Sequence, residues 1–231
     1  MRAGLLEFLG EVPQSLEAHF EWLGANPQFA GEAGVGLLSA DHALSFTRTL
    51  GRFQEVLRAV DGLVLDDNRT GCHHTYIGRP FFSGAILYLG RSGDTRIVFA
   101  SLDDYRDAVE AAVCERRSIT EFHPFLSPPA RYQGALGEVI RQQLDAPHGV
   151  EVIRALLPSL DLDDYALLRQ LVSERDSLLG EAVANEICKR PRHSLQKIAE
   201  KCMAHSHLEV VIAGLRAFDA IKGLARDEKA N

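Results

Sequence analysis

Four short runs of β-branched, aromatic and aliphatic residues constrain the fold most strongly. They cover residues 62–65, 75–77, 85–89 and 96–99, and Asp, Asn, Gly and Pro separate them. Short β-rich runs between turn residues are typical of an antiparallel sheet. Ser92, Gly93 and Asp94 are turn-forming residues between the last two runs, and they predict a hairpin there.

Helical periodicity flanks these runs in the first half of the chain. Apolar residues recur at helical spacing over residues 16–23 and again over about residues 41–60. After the last β-rich run, Ser101 is placed as the N-cap of a helix whose first turn carries Asp103 and Asp104. The first half is therefore predicted to be an α+β domain with an antiparallel sheet and flanking helices.

The second half of the chain has no convincing strand pattern. Amphipathic segments follow one another at residues 136–144, 150–157, 165–172, 178–188, 194–204 and 208–224. Asp161 or Asp163 is in position to cap the third of them. Short helices joined by brief turns predict an all-α domain, either a helical bundle or a short helical-repeat domain.

A proline-rich stretch lies between the two halves. Pro124, Pro128 and Pro129 all fall between residues 120 and 129 and exclude a continuous helix. We predict a linker over residues 118–130, between an α+β domain at 1–117 and a helical domain at 131–231. Charge differs across this boundary as well, since every lysine lies in the second half.

Composition limits the classes of partner. The chain has 32 acidic and 25 basic side chains, a formal net charge of −7, which disfavours direct binding to the nucleic-acid backbone. No apolar run approaches the length of about 18 residues needed to span a membrane. The apolar run at the start, Leu5 and Leu6, is too short for a signal peptide, so a cytoplasmic location is expected.

One polar segment combines side chains that could carry chemistry. Asp66, Asp67, Cys72, His73 and His74 lie within nine residues, and such groups can bind zinc or exchange protons. Adjacent histidines in a strand point to opposite faces, so His73 and His74 are not expected to bind one ion together. We interpret the segment as a loop with one imidazole outward and one half-buried. A zinc-dependent enzyme using this loop stays open as an alternative.

Cysteine and lysine patterns give no further site. The four cysteines show no C-x-x-C spacing, so no metal or other cofactor is predicted. The basic segment 189–193, followed by Lys197 and Lys201, could contact RNA or an acidic protein. Without interleaved aromatic residues, it is interpreted as an exposed helix end.

Residues 63–109 resemble the SMI1/KNR4 superfamily, also called SUKH. The similarity rests on four features in chain order: Leu65-Asp66-Asp67 before a polar loop, a short strand around Tyr76, the run Ser83 to Leu89 followed by Gly93-Asp94-Thr95, and the run Val98 to Tyr105. In the last run, the end of a strand is followed by a helix start, Ser101 to Tyr105, which is similar to the family pattern.

The resemblance implies a binding module with no catalytic residues of its own. Many bacterial members are immunity proteins, which lie in the cytoplasm and cover the active site of a cognate toxin, often a nuclease. An acidic surface suits that task because it attracts a basic cleft. The partner-binding residues predicted on this basis are Asp66, Asp67, His73, His74, Asp94, Asp103 and Asp104. A helical adaptor for another cytoplasmic protein is a further alternative.

Overall fold

A computed structural model of the chain describes residues 2–30, 35–67, 69–82, 84–91 and 93–230. The chain divides into two compact units, Met1–Tyr132 and Gln133–Asn231. The first combines helices with an antiparallel sheet, and the described residues of the second form helices. The predicted α+β fold class is therefore confirmed. Ser83 and Ser92, used above for the family resemblance and the hairpin, lie outside the described residues.

The sheet is a simple meander in the order β1-β2-β3-β4. Its strands are β1 (Gly62–Val64), β2 (His73–Ile77), β3 (Ile86–Leu89) and β4 (Arg96–Phe99). All neighbours are antiparallel, and Thr75 in β2 is paired with Val64 on one side and Leu87 on the other. Every described strand residue except Arg96 is buried. Both faces of this sheet are therefore covered. Strands covered on both faces are typically apolar along their whole length, as most of these strands are.

Helices surround the sheet in the first unit. They are α1 (Arg2–Leu9), α2 (Gln14–Ala25), α3 (Ala40–Leu50), α4 (Glu55–Ala59) and α5 (Leu102–Glu115). The predicted single helix over residues 41–60 is wrong, because the chain turns between α3 and α4, where Phe53 is 79% exposed. Gly51 ends α3, and glycine disfavours continuation of a helix. The predicted Ser101 cap is confirmed, since its hydroxyl accepts a hydrogen bond from the Asp104 N–H at 3.1 Å.

The segment predicted as a linker belongs to the first unit. Ile119 and Ala130 are buried, and Ser118 caps a short 3₁₀ helix at Ile119–Phe122. Arg96 of β4 donates hydrogen bonds to the Pro124 carbonyl at 2.6 Å and to the Ser127 hydroxyl at 3.4 Å. The prolines stop regular structure, as predicted, but the chain that carries them is held against the sheet. The division between the units follows Tyr132.

The second unit contains α6 (Gln133–Leu144), α7 (Gly149–Leu156), α8 (Tyr165–Ser173), α9 (Ser177–Lys189), α10 (Gln196–Met203) and α11 (Leu208–Ala230). These match the predicted amphipathic segments. The prediction that Asp161 or Asp163 caps α8 is wrong. The cap is Asp164, whose carboxylate accepts a hydrogen bond from the Leu167 N–H at 3.0 Å. Those two carboxylates have other partners, because Asp161 accepts from the Asp163 N–H and Asp163 pairs with Arg192.

Candidate functional site

A buried carboxylate organises the polar interior of the first unit. Asp66 follows β1 and is 1% exposed. Its Oδ1 accepts the backbone N–H of His74 at 2.8 Å, and its Oδ2 lies 2.5 Å from His74 Nδ1. The Tyr105 hydroxyl donates to Oδ2 at 3.3 Å. A buried charge needs such partners, and here they tie the chain after β1 to β2 and α5.

Hydrogen bonds extend from Asp66 through two imidazoles. His74 Nε2 lies 2.8 Å from His123 Nε2, so one of these nitrogens carries the proton and the other accepts it. His74 Nδ1 carries a proton, because the Asp66 carboxylate beside it can only accept a hydrogen bond. The Asp66–His74–His123 chain thus runs from the interior of the unit to a half-buried residue in the predicted linker.

Aromatic rings enclose His74. The centroids of Tyr105, Tyr88 and Phe99 lie 5.2, 5.3 and 6.2 Å from its ring. Burial, followed by the charge of Asp66 and its hydrogen bond, raises the pKa of Tyr105 well above the usual range. Burial and the charges of His74 and Arg96 lower the pKa of His123 to about 3. Around neutral pH, Tyr105 therefore stays a hydrogen-bond donor and His123 stays neutral.

The structure corrects three of the predicted partner-binding residues. Asp66, His73 and His74 are all buried, so they do not form part of an exposed surface. The segment was interpreted as a loop, but His73 and His74 begin a central strand that is covered on both faces. One imidazole was expected to point outward, but both are buried. His73 packs against Phe46 at 5.1 Å between ring centroids, while His74 lies among the aromatic rings described above.

The other four predicted residues are accessible to different degrees. Asp94, Asp103 and Asp104 are exposed, and Asp67 is half-buried. Asp67 Oδ1 accepts the Arg69 N–H at 3.0 Å, so it shapes the turn after Asp66. Asp104 lies at the start of α5, where its Oδ2 accepts the Ser101 hydroxyl at 2.9 Å. These residues do not gather in one place. Asp67 follows β1, Asp94 lies in the connection between β3 and β4, and Asp103 and Asp104 lie at the start of α5, which follows the opposite end of β4.

Helix α5 carries an acidic face that is only partly anticipated by the sequence analysis. Asp103, Asp107 and Glu110 recur at i, i+4, i+7 and are all exposed, with Asp104 beside them. Arg106 forms an ion pair with Asp103, so Asp104, Asp107 and Glu110 contribute most of the net charge. Glu110 Oε1 accepts the indole N–H of Trp22 at 3.2 Å. The helical spacing of the acidic residues was the signal that could have identified Asp107 and Glu110.

The remaining candidate groups have structural partners. Among the described residues, no group of three or more His, Cys, Asp or Glu side chains is arranged to hold a metal ion. In the predicted basic segment, Lys189 and Arg190 each pair with the buried Glu186 at 2.8 Å, and Arg192 pairs with Asp163. Much of that charge is therefore neutralised within the second unit. No helix of the described chain has both the length and the apolar composition needed to cross a bilayer.

No protein family, curated protein or solved structure compared with this chain matches it. The resemblance to the SMI1/KNR4 superfamily stays a prediction from the residues quoted above. Functional inference therefore rests on the geometry of the described residues.

Proposed function

We propose that this protein is a cytoplasmic immunity protein that binds a cognate bacterial toxin and covers its active site. The observation that carries the proposal is the exposed acidic face of α5, formed by Asp103, Asp104, Asp107 and Glu110. Negative charge held in a fixed arrangement attracts the basic cleft of a nuclease-like enzyme and speeds its association.

The acidic face is held rigidly, which favours binding. The opposite face of α5 is buried through Leu102, Tyr105, Ala108, Val109 and Ala112. Tyr105 also connects the helix to the Asp66 carboxylate. Less conformational entropy is lost on association when the binding surface is already ordered. In this proposal, Asp66 and His74 position the helix and do not contact the toxin.

An aromatic side chain lies at the edge of the acidic face. Trp22 of α2 is half-buried, donates to Glu110, and has the Arg106 guanidinium 5.9 Å from its ring centroid. Tryptophan beside polar groups is typical of residues that contribute strongly to protein–protein binding. We therefore place Trp22 within the surface that contacts the toxin.

The test begins with capture of the partner. The full chain is used to isolate its binding protein from the native host, and mass spectrometry identifies the captured protein. An immunity role predicts a toxin encoded directly upstream of this chain's gene, and co-expression of this chain should restore growth of cells that produce it. Capture of a protein that is harmless in those cells would contradict the proposal.

The contribution of α5 is tested with charge variants. Asp104→Asn/Asp107→Asn/Glu110→Gln should slow association by about tenfold at low salt, and the rate for the unmodified chain should fall steeply between about 50 and 300 mM salt. The control Asp145→Asn/Glu151→Gln/Asp219→Asn removes equal charge from exposed positions of the second unit. Equal slowing by both variants, or a rate independent of salt, would be inconsistent with binding through α5.

A catalytic role is the second candidate, because Asp66, His74 and His123 form a continuous acid–base chain. The low pKa of His123, about 3, makes it a weak general base near neutral pH. We therefore favour the binding role. Hydrolysis of a model ester by the purified chain, lost in His123→Gln but retained in the charge variant of α5, would reverse that preference. Bound zinc lost in His73→Ala/His74→Ala would support the zinc enzyme.

A further inference from the structure

Helix α11 has apolar side chains on two different faces. One face carries Val210, Ala213, Ala217 and Ile221, which are all buried within the second unit. Gly180 of α9 and Gly214 of α11 allow close packing there, because an added Cβ would lie 3.0 Å from Val210 Cγ1 and 2.8 Å from Cys202 Cβ respectively. This face is fully used by the fold of the unit.

The other apolar face of α11 is open to solvent. Leu208, Ile212 and Leu215 are 67%, 47% and 45% exposed. They are spaced by four and then three residues, the alternation that forms the seam between two paired helices. Val211 and Phe218 flank this stripe and are only partly buried. Large apolar residues grouped on one exposed face are typical of an interaction surface.

The charges beside the stripe are complementary to a second copy of the same helix. Glu209 lies three residues before Ile212 and Arg216 lies four residues after it. This spacing places both on the same edge of the stripe, and both are exposed. If two copies pair antiparallel with Ile212 facing Leu215 of the second copy, Glu209 of each faces Arg216 of the other. Neither side chain forms an ion pair with another described residue of the chain.

We propose that two copies of this chain associate by pairing their α11 helices in antiparallel orientation. The contact is centred on Ile212 and Leu215 of both copies, and Val211 of each faces Phe218 of the other. Two reciprocal Glu209–Arg216 ion pairs fix the register. This interface is separate from the acidic face of α5 and does not depend on the proposed function.

The association is expected to be weak. The exposed stripe covers about two turns of helix, which is small beside the area of about 1,600 Å² typical of stable interfaces. A Kd of about 10–100 µM is therefore expected. Sedimentation of the full chain between about 1 and 300 µM should show a reversible monomer–dimer equilibrium. A monomer throughout that range would overturn the proposal.

Substitutions in the stripe test its location. Ile212→Glu and Leu215→Glu should each raise the Kd at least about tenfold, since each places a carboxylate in the apolar contact. Phe53→Glu is the matched control, because Phe53 is an exposed apolar residue of the first unit. It should leave the Kd within about twofold. Melting curves check that every variant is folded. Dimers that withstand both substitutions in α11 would place the interface elsewhere.

Charge exchange tests the orientation. Glu209→Arg and Arg216→Glu should each weaken self-association, because each creates two pairs of like charges across the contact. The double exchange in one chain should restore it. An equimolar mixture of the two single variants should form mixed dimers in preference to either self-pair. A mixture that forms no mixed dimers would reject the antiparallel register.

Discussion

The Asp66 carboxylate is stable in the interior because both of its oxygens accept hydrogen bonds. One bond comes from a backbone amide, one from His74 Nδ1 and one from Tyr105. The first two donors belong to His74 of β2 and the third to α5, so the carboxylate joins the turn after β1 to both elements. A neutral amide of the same shape would present an N–H₂ group where an acceptor is needed.

Asp66→Asn should therefore reduce the free energy of unfolding by about 2 to 4 kcal/mol, because the buried partners lose a charged acceptor. Urea unfolding followed by circular dichroism measures this change. The same substitution at the exposed Asp107 should change stability by less than about 0.5 kcal/mol. If Asp66→Asn proves as mild as Asp107→Asn, the hydrogen-bond network described here does not stabilise the fold.

His19 is a buried imidazole with a different energetic role. It is 0% exposed, and neither ring nitrogen has a hydrogen-bond partner among the described residues. It packs between Trp22 and Tyr105, at 5.8 and 6.1 Å between ring centroids. Burial, together with the charge of Arg106, lowers the pKa of His19 from 6.5 to about 4.

This pKa predicts a loss of stability in mild acid. Between pH 6.5 and 4 the unfolded chain binds a proton at His19 that the folded chain does not. The free energy of unfolding therefore decreases as the pH is lowered through this range. The loss approaches a value on the order of 3 kcal/mol at the lower end and is absent above pH 7. His19→Leu should remove this part of the dependence.

Urea unfolding of the unmodified chain and His19→Leu at several pH values measures the difference. The pKa of His123 is also lowered, so its protonation likewise reduces the free energy of unfolding as the pH is lowered. Some pH dependence should therefore remain in His19→Leu. His42→Leu, at an exposed position of α3, is the control and should leave the pH profile unchanged. Parallel profiles for the chain with and without His19 would show that its protonation is not linked to folding.

At the scale of secondary-structure elements, helix packing in the second unit depends on where its glycines lie. Gly214 faces Cys202 and the Met203 backbone of α10, with hypothetical Cβ contacts of 2.8 Å to each. Gly223, on the same helix, has no atom within 4 Å of a hypothetical Cβ. The same change therefore has opposite expected effects at the two positions.

Gly214→Ala should destabilise the chain by about 1 to 3 kcal/mol, because the backbone of α10 must move away from the added methyl group. Gly223→Ala should stabilise it by up to about 1 kcal/mol through the higher helix propensity of alanine. Thermal or urea unfolding of both variants gives the comparison. A change of the same sign in both would contradict the assigned packing of α11.

Local sequence signals predicted most elements, because they depend on neighbouring residues. The four β-rich runs became strands, and Ser101 became an N-cap. The helix over 41–60 was wrong because its apolar spacing continues through Gly51, where the chain turns. The predicted cap of α8 was wrong because Asp161, Asp163 and Asp164 are all aspartates and equally suitable as N-caps. Only the hydrogen-bond partners of each carboxylate in the folded chain distinguish them.

The polar interior could not be predicted in the same way. His74 and His123 are separated by 49 residues in the chain, and Tyr105 lies 39 residues from Asp66. No local pattern connects such positions, and His123 lay in a segment interpreted as a linker. The acidic face of α5 was partly predictable, because its residues follow the period of one helix. Trp22 joined that face only through packing of α2 against α5.

At the scale of the whole molecule, the position of the unit boundary determines which parts of the chain fold together. The sequence placed the end of the α+β domain at residue 117, whereas the first compact unit continues to Tyr132. The added residues contribute buried Ile119 and Ala130, the His123 contact to His74, and two hydrogen-bond acceptors for Arg96. These contacts are all internal to the first unit.

Two fragments distinguish these boundaries. Residues 1–132 should fold, with cooperative urea unfolding, because the fragment retains the sheet, its helices and the segment that covers His74. Residues 1–117 should be less stable by about 3 kcal/mol or more, since the fragment loses a buried isoleucine, the His123 partner of His74 Nε2 and the hydrogen bonds from Arg96 to Pro124 and Ser127. Residues 133–231, with their own buried helix faces, should fold separately and give a helical circular dichroism spectrum. Equal stability of the two N-terminal fragments would mean that the proline-rich segment adds nothing to the first unit, and that its contacts with β4 and His74 form at no net gain in free energy.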